Sequence, residues 1–154
     1  MRQIIDKLIL NNKTISTMES CTGGGLANEI TSCEDASKVL KFSAVTYSNE
    51  YKIKMGVKEE IINKYTVYSI ETAHSMAKSI SNFTNSNYGV GITGKLNKVD
   101  LDNPYGEDNV VFVSIYDKDN NIYHDLEIKV DKSSRKENKI FVINKIIDKL
   151  HEIL

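Results

Sequence analysis

At 154 residues, 40% hydrophobic and 27% charged, the chain is long enough to bury the core of one domain and short for two. A formal net charge of -1 gives it no basic excess with which to hold nucleic acid or an anionic membrane surface, and neither is expected as a partner. No long uncharged apolar run occurs, so neither a signal peptide nor a membrane span is expected, and the cytoplasm is the expected compartment.

Ile4, Ile5, Leu8 and Ile9 share a face and predict an amphipathic helix over 2–11, ended by Asn11 and Asn12. Residues 13–19, KTISTME, are rich in β-branched side chains and read as a strand that delivers the chain into a glycine turn. Leu26, Ala27 and Ile30 then suggest a helix. A second strand is predicted over 38–47, followed by a helical turn from Asn49 to Met55 that stops at Gly56. A short helix over 58–65 comes next, then a longer one capped by Ser69, with Glu71 in its first turn, running to about Phe83. YGVGIT, 88–93, reads as a buried strand and the polar segment GKLNKVDLDNPYGED follows it. Alternating runs at 109–116 and 122–130 flank Asp117 to Asn121 and predict a hairpin. Ile140, Ile143, Ile147, Leu150 and Leu154 mark the face of a closing helix. Helices alternating with strands, with a late hairpin, predict a single α/β domain of three layers around a mixed sheet.

Ligands of open α/β sheets bind beyond the carboxyl ends of the strands, and Ser20 and Tyr47 fall there. The turn Cys21–Gly25 sets small residues at a helix N-terminus, suited to an anion or oxyanion, or simply to a tight turn capped by Ser20 or Thr22. TYSNEYK, 46–52, leaves the second strand at Tyr47 and brings up Lys52. A serine needs a base, and His74, His124 and His151 all fall outside the strand-end loops. Lysine serves if burial and neighbouring positive charge lower its pKa by roughly three units, about 4 kcal/mol. The bland alternative is a surface lysine beside a strand-end tyrosine. Ser134 and Glu137 fit a capping box, while Lys132, Arg135 and Lys136 crowd the positive end of the last helix, a solvated basic turn or a phosphate seat. Cys21 and Cys33 lack a metal-ligand spacing and are expected as reduced thiols, with no metal.

Together, ESCTGGGLA, VTYSNEYK followed by MGV, SIETAHSMA and GITG resemble the CinA C-terminal family, which includes nicotinamide mononucleotide deamidases. The resemblance runs from about Leu8 to Leu150 and is to the stand-alone form. It implies a three-layer α/β/α domain with a mixed, mostly parallel sheet of about five strands. It also implies hydrolysis of the nucleotide carboxamide to nicotinic acid mononucleotide and ammonia, without metal or cofactor. By resemblance Ser20 is the nucleophile, Lys52 the general base and Tyr47 the proton-transfer assistant, although Cys21 rivals Ser20 on chemistry alone. Thr22, Gly23, Gly24, Asn49, Thr93 and Gly94 would serve the oxyanion and substrate, and Lys132, Arg135 or Lys136 the phosphate. Glu19 would hold the turn or meet Lys52. After Gly94 the family's glycine-rich loop is replaced by a charged, flexible-looking one expected to line the pocket. The alternatives are a catalytically silent nucleotide-binding or protein-interaction domain, and a hydrolase of another amide. A nucleotide substrate and a homodimer are the expected partners.

Overall fold

The computed structural model describes residues 1–154. Helix α1, Arg2–Leu10, buries Ile4, Ile5 and Leu8, the stripe its sequence spacing predicts. Strand β1, Ile15–Glu19, is buried along its whole length and runs into α2, Gly25–Thr31. A 3₁₀ turn at Ala36–Lys38 takes the place of the predicted start of the second strand, so β2 spans only Leu40–Val45. Three helices follow: α3, Asn49–Lys54, α4, Glu59–Tyr65, and α5, Ile70–Thr84. Ser69 caps α5 as expected, its hydroxyl accepting from the Thr72 N–H. Then come β3, Tyr88–Gly94, the hairpin β4, Val110–Asp117, and β5, Ile122–Lys129, and finally α6, Arg135–Ile153.

The five strands form one mixed sheet in the order β2-β1-β3-β4-β5. β1 pairs in parallel with β2 and β3, and the hairpin adds two antiparallel pairings beyond β3. Of the three strands that pair in parallel, β1 and β3 lie inside and are buried, whereas β2 is the edge strand and is largely exposed or half-buried. On one face α1, α2 and α6 pack their Ile and Leu side chains on Ile15, Val90, Ile92, Val111, Val113 and Ile115. On the other, Met18 and Ala44 meet Ile62, Val67, Met76 and Ile80 from the α4 and α5 side. No helix is long and apolar enough to cross a membrane.

Two glycines of β3 let α5 approach the sheet: a Cβ at Gly91 would stand 2.2 Å from the Ala73 carbonyl oxygen, and one at Gly89 2.1 Å from that of Ala77. The buried stripe of α6 differs from the predicted one. Val142, Ile143, Ile146 and Leu150 face the sheet, while Ile140 is 49% exposed. Residues 140–143 and 146–147 are all apolar, so the helix has a wide apolar arc and tertiary contact chooses the part that is buried.

Candidate active site

Parallel pairing brings the carboxyl ends of β1 and β2 side by side, with Glu19 opposite Val45 and the Thr46 N–H donating to the Glu19 carbonyl at 2.9 Å. Ser20 follows the first strand and Thr46 and Tyr47 follow the second, at the crevice where open α/β sheets hold ligands. Ser48 caps α3 through its hydroxyl, and Gly56, at φ +99°, lies just past the helix end as expected. That short helix turns Lys52 inward, where it is 1% exposed. An open cleft of about 700 Å³ gathers Ser20, Tyr47, Asn49, Lys52, Gly94 and Arg135.

Lys52 donates to Ser20 Oγ at 3.2 Å and to the Thr46 carbonyl at 2.8 Å, and no carboxylate pairs with it. Burial pulls its pKa down from the ordinary value to about 8, with Cys21 opposing slightly. Near neutrality a fraction of the amine is therefore unprotonated, in contact with the serine oxygen. Cys21 also lines the cleft, but burial pushes its thiol up to about 12, so it lacks the thiolate character of a nucleophile.

The glycine turn differs in detail from its sequence expectation. Neither Ser20 nor Thr22 caps α2. The buried carboxylate of Glu19 does so, accepting from the Leu26 N–H at 3.1 Å, the Ala27 N–H at 2.9 Å and the Thr22 hydroxyl at 2.6 Å. Glu19 thus holds the turn and does not meet Lys52. Thr22, Gly23 and Gly24 do not line the cleft: Thr22 is committed to Glu19, and the Gly23 N–H donates to the Ser20 carbonyl at 3.0 Å. Gly23 and Gly24 are needed for the turn itself, at φ +62° and +86°. The N–H groups of Cys21, Thr22 and Gly24 donate to no backbone carbonyl. Thr93 is also behind the wall, fully buried, with its hydroxyl donating to the Val67 carbonyl at 2.8 Å.

Tyr47 lines the cleft but is 65% exposed, and its hydroxyl accepts from Arg135 at 3.0 Å rather than meeting Ser20 or Lys52. Of the three basic candidates at the start of the last helix and in the turn before it, only Arg135 reaches the cleft. Lys132 pairs with Asp131 at 2.9 Å and lies over the Phe141 ring, and Lys136 is exposed. The capping box of Ser134 and Glu137 is formed as the spacing predicts. Sequence reasoning missed Lys139, whose ammonium comes within 3.1 Å of the space a Cβ at Gly23 would fill. Its signal was available, since it stands four residues after Arg135 and shares that helix face.

The segment 95–108 is tied to the rest of the domain at several residues. Lys95 is buried and paired with Asp108 at 2.9 Å, with its amine over the Tyr68 ring. Asp100 accepts from the Tyr68 hydroxyl and from Asn103, and Asn49 donates to Asn103 at 3.1 Å, which ties the loop to the helix carrying Lys52. The Tyr68 contact holds the Asp100 carboxyl below its ordinary value, and burial raises the Tyr68 hydroxyl above its own. Lys98, Asp100, Asp102 and Asn103 form the outer wall of the cleft.

The chain is 41% identical over 96 residues to a protein of Thermoanaerobacter sp. (strain X514) named for competence-damage induction, a match covering 61% of this chain and 23% of that protein. It is 44% identical over 88 residues to a CinA-like protein of Endomicrobium trichonymphae, covering 56% of this chain and 21% of that one. The matched stretch thus spans under a quarter of these relatives. The crystal structure of the competence/damage inducible protein CihA from Agrobacterium tumefaciens superposes with a TM-score of 0.84 at 26% identity, covering 97% of this chain and 92% of that one. A CinA superfamily protein from Escherichia coli shares the fold at a TM-score of 0.84 and 22% identity, covering 97% and 85%. The CinA C-terminal domain family matches residues 1–154, and the chain belongs to that family.

Proposed function

We propose that this domain is a nicotinamide mononucleotide amidohydrolase that works through Ser20 and Lys52. The observation that carries the reading is the 3.2 Å contact between a buried, carboxylate-free lysine amine and a serine hydroxyl at the carboxyl ends of two parallel strands. The unprotonated Lys52 amine takes the Ser20 proton as Oγ attacks the carboxamide carbon. The carbonyl oxygen becomes an oxyanion beside Cys21, the cleft residue next to Ser20, whose N–H donates to no backbone carbonyl. Lys52 then returns the proton to the departing nitrogen, and the C–N bond breaks to release ammonia and leave an acyl-serine ester. A water molecule, deprotonated by the same amine, cleaves the ester to the carboxylate and restores Ser20. Arg135 and Lys139, which project from successive turns of α6 beside the glycine turn, seat the substrate phosphate.

The test is ammonia release from nicotinamide mononucleotide by the purified chain, beside folded Ser20→Ala and Lys52→Ala variants. Turnover that both substitutions abolish supports the reading. A catalytically silent nucleotide-binding domain is the second reading, favoured by the Tyr47 hydroxyl being engaged by Arg135 rather than by the dyad. Binding of the nucleotide without release of ammonia would select it.

A further inference from the structure

Glu19 is fully buried, yet no cation pairs with it. Both carboxylate oxygens are saturated by donors. Oε1 accepts from the Thr17 hydroxyl at 3.2 Å and the Ala27 N–H at 2.9 Å, and Oε2 from the Thr22 hydroxyl at 2.6 Å and the Leu26 N–H at 3.1 Å. Leu26 and Ala27 are the second and third residues of α2, whose N–H groups an N-cap side chain ordinarily satisfies. Here the cap residue is Gly24, which has no side chain, and the acceptor comes from the end of β1 instead. One carboxylate thus links the strand that precedes Ser20, the hydroxyl two residues after it, and the helix that follows.

We infer that Glu19 is the positioning residue of the Ser20 site: by accepting from the N–H groups that open α2 and from the Thr22 hydroxyl, its carboxylate fixes the turn so that the serine oxygen meets Lys52. The inference rests on the amidohydrolase reading for its natural reaction and on geometry for the rest. A neutral residue of the same shape is a poor substitute, because two of the four neighbours are backbone N–H groups that can only donate, one on each oxygen. The NH₂ of a glutamine would face one of those N–H groups whichever way the amide is turned, and the turn would shift to escape the clash. Lys52 meets Ser20 and the Thr46 carbonyl and makes no contact with Glu19, so the carboxylate places the serine and does not pair with the base.

The test compares wild type with Glu19→Gln and Thr22→Val in two assays, deamidation of nicotinamide mononucleotide and labelling of Ser20 by a fluorophosphonate, located by mass spectrometry. Glu19→Gln should lower kcat and the labelling rate about 100-fold, with KM within threefold and the pH midpoint unmoved. Thr22→Val, which removes one of the four donors, should lower both rates about fivefold and covers the case in which Glu19→Gln does not fold. Labelling of folded Glu19→Gln within threefold of wild type would overturn the inference, as would a shifted pH midpoint with an unchanged plateau. If Glu19→Gln does not fold, wild-type rates in Thr22→Val would overturn it equally. Wild type that labels at Ser20 yet releases no ammonia would refute the substrate while leaving the role of Glu19 standing on the labelling rates. Wild type that does not label would leave no activated serine to position and refute the inference.

Discussion

Lys52 Nζ stands 3.2 Å from Ser20 Oγ and 2.8 Å from the Thr46 carbonyl, so the amine has two oxygen partners and neither is a carboxylate. Only the unprotonated amine accepts a proton. With a pKa of about 8 in the folded protein, kcat/KM should rise roughly tenfold per pH unit below 8 and level off above it. A pH-rate profile for ammonia release checks this, and a profile flat from pH 6 to 9 would remove Lys52 as the base. Lys52→Ala should cost roughly 10³-fold in kcat, within the usual range for a positioned base.

The same burial sets a stability prediction of definite sign. Between about 8 and the ordinary lysine value of 10.5 the unfolded chain binds more protons at this site than the folded one, so stability rises with pH across that window. Below pH 8 both states are protonated and the cost of burying the ammonium is felt in full, on the order of 3 kcal/mol. Lys52→Met removes that cost but leaves the Thr46 carbonyl unpaired, so a net gain of about 1–2 kcal/mol is expected at pH 7. The gain should fade by pH 10.5. Urea unfolding at both pH values decides it, and an equal gain at each would rule out ammonium burial as the source.

Much of this arrangement was legible in the sequence because it depends on local patterns. The strand that ends at Glu19, the positive-φ glycines after it and the capping residues Ser69 and Ser134 each follow from residue type and spacing. The meeting of Ser20 with Lys52 was legible only through the family resemblance, since nothing between residues 20 and 52 encodes the parallel pairing that joins them. What escaped was tertiary. A strand glutamate capping a helix six residues on, a lysine filling the space above Gly23, and a charged loop tied down through Tyr68 and Asn49 all arise from chain segments brought together by the sheet. The charged composition of 95–108 suggests mobility only until its partners are known.

Gly91 offers a test of the packing that places α5. A methyl group there would lie 2.2 Å from the Ala73 carbonyl oxygen and 2.6 Å from the Ala77 nitrogen, both backbone atoms that no side-chain rotation can move aside. Gly91→Ala should therefore destabilise the fold by about 3 kcal/mol, at the upper end for overpacking. Chemical denaturation measures it, and a loss below 1 kcal/mol would mean that the helix can slide away from the sheet at little cost. Gly106→Ala is the control for open space, because nothing lies within 4 Å of its added carbon, although φ +74° adds backbone strain of about 1 kcal/mol.

Arg135 and Lys139 divide binding from chemistry under the proposed reading. Neither cation has a carboxylate partner, and Arg135 spends its one side-chain hydrogen bond on the Tyr47 hydroxyl at 3.0 Å. A phosphate held there would gain charge-assisted bonds worth roughly 1.5–3 kcal/mol each. Lys139→Gln and Arg135→Ala should each raise KM for nicotinamide mononucleotide about 10–100-fold while leaving kcat within threefold. With nicotinamide riboside, which carries the same carboxamide but no phosphate, the two substitutions should change kcat/KM less than twofold. An equal loss on both substrates would show that these cations shape the glycine turn or Tyr47, and the phosphate seat would have to be sought on another wall of the cleft.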